Sequence, residues 1–378
     1  MYNIRDCGVT AFIFIIHQQL YYSVRKSIFL HGVHFSGDLL WQMTIYDISK
    51  KAGVSIATVS RVLNGSENVR PSTRKKVMDV IDKYDYTPNA FARGMGLHSL
   101  KTIGILCADS SDLFLAKAVY FLEQELQANG YESLLCCTGY NPDIKKNYLN
   151  LILSKKVDSI ILVGSHFIGF NEDENQYIKD VSTQVPIMLL NASFDHPNVY
   201  STLCDDYGTM FEAATEMIQS GITDILYLYD SKSYSGLKKL HGFCDAMKEY
   251  NIPGFEKLIH FYDGNIEHLN EVADFVARIA TKGTSFHGIM TSDDSLAIGS
   301  IKYAQKKGIR IPEELSVMGY NNSMLTNCCT PELTSVDNRL ETQTHQLVQT
   351  LLGVLAGEEM PKKSIFSGKI IKRGTTLF

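Results

Sequence analysis

No Cys-x-x-Cys spacing occurs in this chain, and its eight cysteines include two adjacent pairs, Cys136-Cys137 and Cys328-Cys329. Neighbouring residues on a strand point to opposite faces, so neither pair forms a metal clamp or a disulfide framework. Buried free thiols in a reducing compartment are expected instead. The hydrolase elbow G-x-S-x-G, the zinc motif H-E-x-x-H and the phosphate loop G-x-x-x-x-G-K are also missing. The eleven histidines lack metal-ligand spacing, and single ones such as His166 and His241 read as surface or core residues. The composition therefore calls for no cofactor and no metal. The apolar run at residues 11–16 is too short to span a bilayer, and no clear small-residue cleavage site follows it. No membrane association is expected. The length allows two or three domains with a sizeable core.

Residues 43–101 hold most of the information. Thr44, with Asp47 three positions on, has the pattern of a capping box. Ile45, Ile48 and Ala52 recur at helical spacing, and Gly53 suits the left-handed corner of a tight turn. Ser55 caps a second helix that Gly65 stops. Within it Val59, Val62 and Leu63 face inward, leaving Ile56, Ala57, Ser60 and Arg61 outward. An arginine among small neighbours on such a face suits the reading of base edges. A third helix, residues 71–84, starts with Pro71 and carries Val77, Val80 and Ile81 as its apolar stripe. This stretch bears ten Lys and Arg against five Asp and Glu, whereas the whole chain has a net charge of −5. A basic head on an acidic body is the electrostatic footprint of a nucleic-acid binder.

The run T-x-Y-D-x-x-x-x-A-G-V-S-x-x-T-V-S-R-V-L-N-G, then V-x-P-x-T-R-x-K-V, then Y-x-P-N-x-x-A-R, resembles the DNA-binding head of the lactose/galactose repressor family. The resemblance implies DNA contacts from Thr44, Tyr46, Ser55, Ile56, Ala57, Thr58, Ser60, Arg61 and Asn64. It adds a hinge segment contributing Asn89, Ala92, Arg93 and Met95, with Met95 standing where the family has a minor-groove wedge. Lys50, Lys75 and Lys76 are weaker expectations for phosphate contacts. The glycines at 94 and 96 read as hinge rather than as a dinucleotide loop. Family members begin near Met43, so residues 1–42 are expected to be a non-native extension. The organisation expected is thus a helix-turn-helix domain at 43–88, a hinge at 89–101 and a two-lobed core at 102–378.

In the core, short apolar runs at 102–107, 133–137, 159–163, 187–191, 225–229, 258–261, 288–291 and 315–319 alternate with amphipathic stretches. Those stretches include residues 115–130, 210–221, 237–250, 269–280 and 296–308. The pattern predicts parallel sheets covered on both faces. The fold class expected is an all-α helix-turn-helix head plus an α/β two-lobed core resembling periplasmic binding proteins.

Carried over position by position, the resemblance implies an effector pocket of Asp109, Phe114, Asn191, Lys239, Asp293 and Asn321. Asn191, Lys239 and Asn321 stand where sugar-binding members usually have Asp, Arg and Asp. That departs from sugar recognition. The stretch at 64–77 resembles the catabolite-control subgroup, whose members respond to a phosphoprotein. The function expected is a cytoplasmic, homodimeric, sequence-specific transcription regulator, a repressor, acting on double-stranded operator DNA. Its control would come from a small-molecule effector or a phosphoprotein co-regulator. The alternative is a solute-binding protein of a transport system, against which the head counts.

Overall fold

The computed structural model describes residues 43–63, 66, 68–86 and 99–378. The chain divides into two units, residues 1–96 and 97–378. Asn64, Asn89, Ala92, Arg93 and Met95 lie outside the described residues, as do residues 1–42.

The first unit contains α1 (Ile45–Ala52), α2 (Ile56–Leu63) and α3 (Pro71–Lys83). Thr44 closes the capping box: the Asp47 amide donates to its Oγ1 at 3.3 Å, and the Thr44 amide donates to the Asp47 carboxylate at 3.0 Å. Gly53 follows at φ 62°, ψ 38°, the left-handed corner expected of it. Ile48, Ala52, Val59 and Val77 are fully buried. Ile45, Leu63 and Val80 are only partly buried and flank that small core.

The second unit is two α/β lobes. Lobe 1 begins with β1 (Thr102–Cys107), α4 (Leu113–Ala128), β2 (Glu132–Cys137), α5 (Pro142–Ser154) and β3 (Ser159–Val163). It continues through α6 (Gln176–Ser182), β4 (Ile187–Leu190) and β5 (Val199–Cys204). The chain then enters lobe 2 with α7 (Asp206–Gln219), β6 (Ile225–Tyr229), α8 (Tyr234–Glu249), β7 (Ile259–Phe261) and α9 (Leu269–Thr281). Next come β8 (Gly288–Thr291), α10 (Asp294–Lys307), β9 (Ser316–Tyr320) and β10 (Thr334–Asp337). Helix α11 (Leu340–Leu355) and β11 (Lys363–Phe366) return to lobe 1, and β12 (Lys369–Ile371) ends in lobe 2.

The sheet orders are β11-β5-β4-β3-β1-β2 and β12-β10-β9-β8-β6-β7. Every pairing is parallel except β10 with β12. The chain therefore crosses between lobes after β5, after β10 and after β11. Bonds from backbone amides tie the crossings together. The Asp205 amide donates to the Phe366 carbonyl at 2.8 Å, and the Gly368 amide to Thr209 Oγ1 at 2.9 Å.

The apolar runs locate eight strands, but β5, β10, β11 and β12 escape that criterion. Strand β5 buries Ser201 and Thr202, β10 buries Thr334 and Ser335, and β11 and β12 are half-exposed edges carrying Lys363 and Lys369. Leu258 belongs to a short 3-10 turn ahead of β7, not to the strand. Strand β2 is a sheet edge with exposed Leu134 and Leu135, not a doubly covered strand. The expectation of buried thiols holds for Cys107 and Cys204 but fails for Cys137 and Cys328, which are exposed. Cys137 is exposed because it ends that edge strand.

Candidate functional site: a reading helix and a two-lobed cleft

In the head, Ser55 begins α2 by accepting from the Thr58 amide at 3.2 Å. Tyr46 is 68% exposed and Ile56 39%. Thr44, Ser55, Ala57 and Arg61 are exposed, while Thr58 and Ser60 are half-buried. Helix α2 thus presents Ile56, Ala57 and Arg61 on one outer side and buries Val59 and Val62 on the other. Arg61 shares a polar recess with Ser55, Thr58, Asn68, Arg70 and Thr73. Arg74 of α3 reaches the carbonyls of Val62 at 3.5 Å and Ser66 at 2.5 Å. It holds the end of α2 and the turn beyond it.

In the core, polar residues gather just past the carboxyl ends of strands from both lobes, where open α/β sheets bind ligands. A cavity of about 90 Å³ lies there. Phe114, Asn191, Lys239, Asp293 and Asn321 line it. Asp109 does not; it lines an adjoining hollow of about 640 Å³. Its carboxylate accepts from the amide and hydroxyl of Ser111, both at 2.8 Å, which fixes it in its own turn.

Asp112, Tyr140, His166, Asp230, Ser231 and Ser233 also line the cavity and were not picked out. The available signal was their position, each shortly after a strand. His166, expected to be an ordinary surface or core histidine, is in the cleft, with its ring edge-on to Tyr140 at 4.8 Å between centroids. Burial, with Lys145 nearby, pushes its pKa down to about 4, so it is neutral. The lobes meet across the cavity, where Ser165 Oγ donates to Ser233 Oγ at 2.8 Å.

Lys239 is buried, donates to the Ser292 carbonyl at 3.0 Å, and sits 3.9 Å above the Tyr320 ring. Tyr320 in turn donates to Asp206 at 2.7 Å, and Ser235 donates to the other oxygen of Asp206 at 2.5 Å. Asp206 opens α7 beside the first crossing. The pocket lysine is therefore linked to the crossing after β5 through one ring and one carboxyl.

Asp293 accepts from the Ser295 amide at 2.7 Å and from Asn321 at 2.9 Å, and Asn321 accepts from Asn338 at 2.9 Å. Asn191 and Asn321 have φ of 66° and 95°. Asparagine is enriched at such left-handed positions, so its presence there has a backbone cause besides any change of ligand. Burial raises the pKa of Asp112 to about 6, with Asp293 and Asp230 adding repulsion.

Residues 44–89 match the family described as bacterial regulatory proteins, lacI family, and residues 214–376 match the periplasmic binding protein-like domain. An HTH-type transcriptional regulator of Lachnoclostridium phytofermentans is 49% identical over 336 residues, covering 89% of this chain and 100% of that protein. Catabolite control protein A of Priestia megaterium is 33% identical over 301 residues, covering 78% of this chain and 87% of its own length. The lac repressor dimer bound to operator and the anti-inducer ONPF has a TM-score of 0.80 at 20% identity, covering 89% of this chain and 99% of that one. That last likeness concerns the fold. Together with the capped helix-turn-helix and the two-lobed core, these relatives make the chain a member of the lacI family, a DNA-binding transcription regulator and not an enzyme.

Proposed function

We propose that this regulator represses transcription in the cytoplasm as a homodimer bound to a pseudo-palindromic operator, and that a small molecule in the cleft sets its affinity. The observation that carries the effector reading is the set of polar side chains from both lobes around one cavity, with Lys239 tied to the crossing after β5. In the head, Arg61 takes a guanine edge in the major groove, and Ile56 and Ala57 set preference at neighbouring pairs. Thr44, Tyr46, Ser55, Thr58 and Ser60 support the register through the phosphates; outside the described residues, Asn64, Asn89, Ala92 and Arg93 add DNA contacts and Met95 acts as the minor-groove wedge. The transport reading is set aside, because a solute-binding protein has no use for a DNA head.

The test is operator binding, selected from genomic DNA, with and without the small-molecule fraction of the source cells. Lys239→Ala combined with Asp293→Ala is expected to abolish the response while leaving unliganded DNA binding intact. A full response in the double variant removes the cleft from the effector reading. The 33% identity to catabolite control protein A favours a second reading, in which a phosphoprotein is the co-regulator. A response that appears only with the protein fraction would support it.

A further inference from the structure

Charge in the cleft is unbalanced. Asp112, Asp230 and Asp293 face the cavity, and Asp109 and Glu267 face the adjoining hollow. Among the lining residues, Lys239 is the single permanent cation. Its ammonium is already engaged by the Ser292 carbonyl and the Tyr320 ring, and it offsets the buried Asp206 behind it. His166 is neutral. The three inner carboxylates come from both lobes, so their repulsion opposes closure of the cleft around any uncharged ligand.

A metal ion does not resolve this. Among the described residues, no three acidic, histidine or cysteine side chains are grouped to hold one. The rest of the lining selects for a hydroxylated organic molecule: Ser165, Ser231, Ser233, Asn191 and Asn321 offer hydroxyl and amide groups at several directions. Tyr140 and Phe114 add aromatic lining, which suits a cation as well as a sugar.

We propose that the effector is a cationic, polyhydroxylated molecule of the amino-sugar class, whose ammonium sits among Asp112, Asp230 and Asp293. This rests on the reading of the cleft as an effector site. The ammonium offsets the repulsion among these carboxylates, and it joins the lobes by pairing with Asp112 on one side and with Asp230 or Asp293 on the other.

The test is calorimetric titration of the full chain with matched pairs: glucosamine and glucose, galactosamine and galactose, mannosamine and mannose, with the N-acetyl forms as uncharged controls. In at least one pair the amine is expected to bind about ten-fold tighter or more than its neutral partner, and acetylation to erase the gain. Asp112→Asn is expected to remove most of that preference, bringing the amine-to-neutral affinity ratio close to one in the pair that shows it. Its fold is checked by circular dichroism, since Asn also caps helices well. Neutral members that bind as tightly as their amines in every pair that binds overturn the charge assignment and leave the cleft as an effector site. Absence of binding throughout the panel up to about 20 mM, far above typical effector affinities, overturns the amino-sugar class. Failure of the effector reading itself appears separately, as a full response in the Lys239→Ala, Asp293→Ala double variant.

Discussion

The proposed reading of DNA and part of the pH response rest on single side chains. Arg61→Ala is expected to relax preference at one symmetric base position per half-site, a loss of about 1–3 kcal/mol of discrimination. Binding selection with randomised operators measures this, and an equal loss on every sequence would make Arg61 a phosphate contact. Asp294 is a different case. Its side chain is fully buried and accepts from the Ser335 hydroxyl and the Ser323 amide, both at 2.6 Å. Burial, helped by Asp293, raises its pKa from the ordinary aspartate value of 3.8 to about 7. Between those values the folded chain keeps a proton that the unfolded chain has released. Stability from this residue therefore falls as pH rises from about 4 to 7, by order 1 kcal/mol per pH unit. Asp294→Asn cannot ionise; its amide oxygen can accept from the Ser323 amide, and its nitrogen can donate to the Ser335 hydroxyl oxygen. Its melting temperature relative to wild type is expected to rise between pH 5 and pH 8. A constant difference across that range would refute the account.

At the scale of elements, the head depends on how α3 holds α2. Arg74 gives its guanidinium to two carbonyls near the end of the reading helix. Without it those carbonyls lose a charged donor, worth about 1.5–3 kcal/mol. Arg74→Ala is expected to lower the melting temperature of the head and to weaken specific and random DNA binding together. Loss of specificity alone, with melting unchanged, would show instead that Arg74 reads bases. Strand identity in the core follows the same logic of surroundings. Val-Tyr-Ser-Thr-Leu-Cys makes β5 because it pairs on both sides, with β4 and β11, although Ser201 and Thr202 interrupt its apolar run.

At the scale of the molecule, the cleft and the crossings share one network through Lys239, Tyr320 and Asp206. Tyr320→Phe keeps the ring under Lys239 but leaves one oxygen of Asp206 without its donor. The expected cost is about 1–3 kcal/mol of stability, together with a weaker effector response at unchanged unliganded DNA affinity. Denaturant melts and operator titrations read these two quantities separately. An unchanged response would mean that the pocket does not signal through this ring.

The sequence by itself determined the head almost completely. Thr44, Asp47, Gly53 and Ser55 act on backbone groups within a few residues of themselves, so their roles are readable locally. It also determined the two-lobed class, because doubly covered parallel strands leave continuous apolar runs. Tertiary structure alone decided the membership of the cleft. Asp112, His166 and Asp230 lie far apart in the chain and follow different strands, and only the sheet order brings their ends to one cavity. It also moved Asp109 out of that cavity, since one turn after β1 separates it from Asp112. The meaning of Asn191 and Asn321 changed with it. Sequence comparison reads a lost charge there, whereas the backbone shows left-handed corners that position, as much as ligand, accounts for.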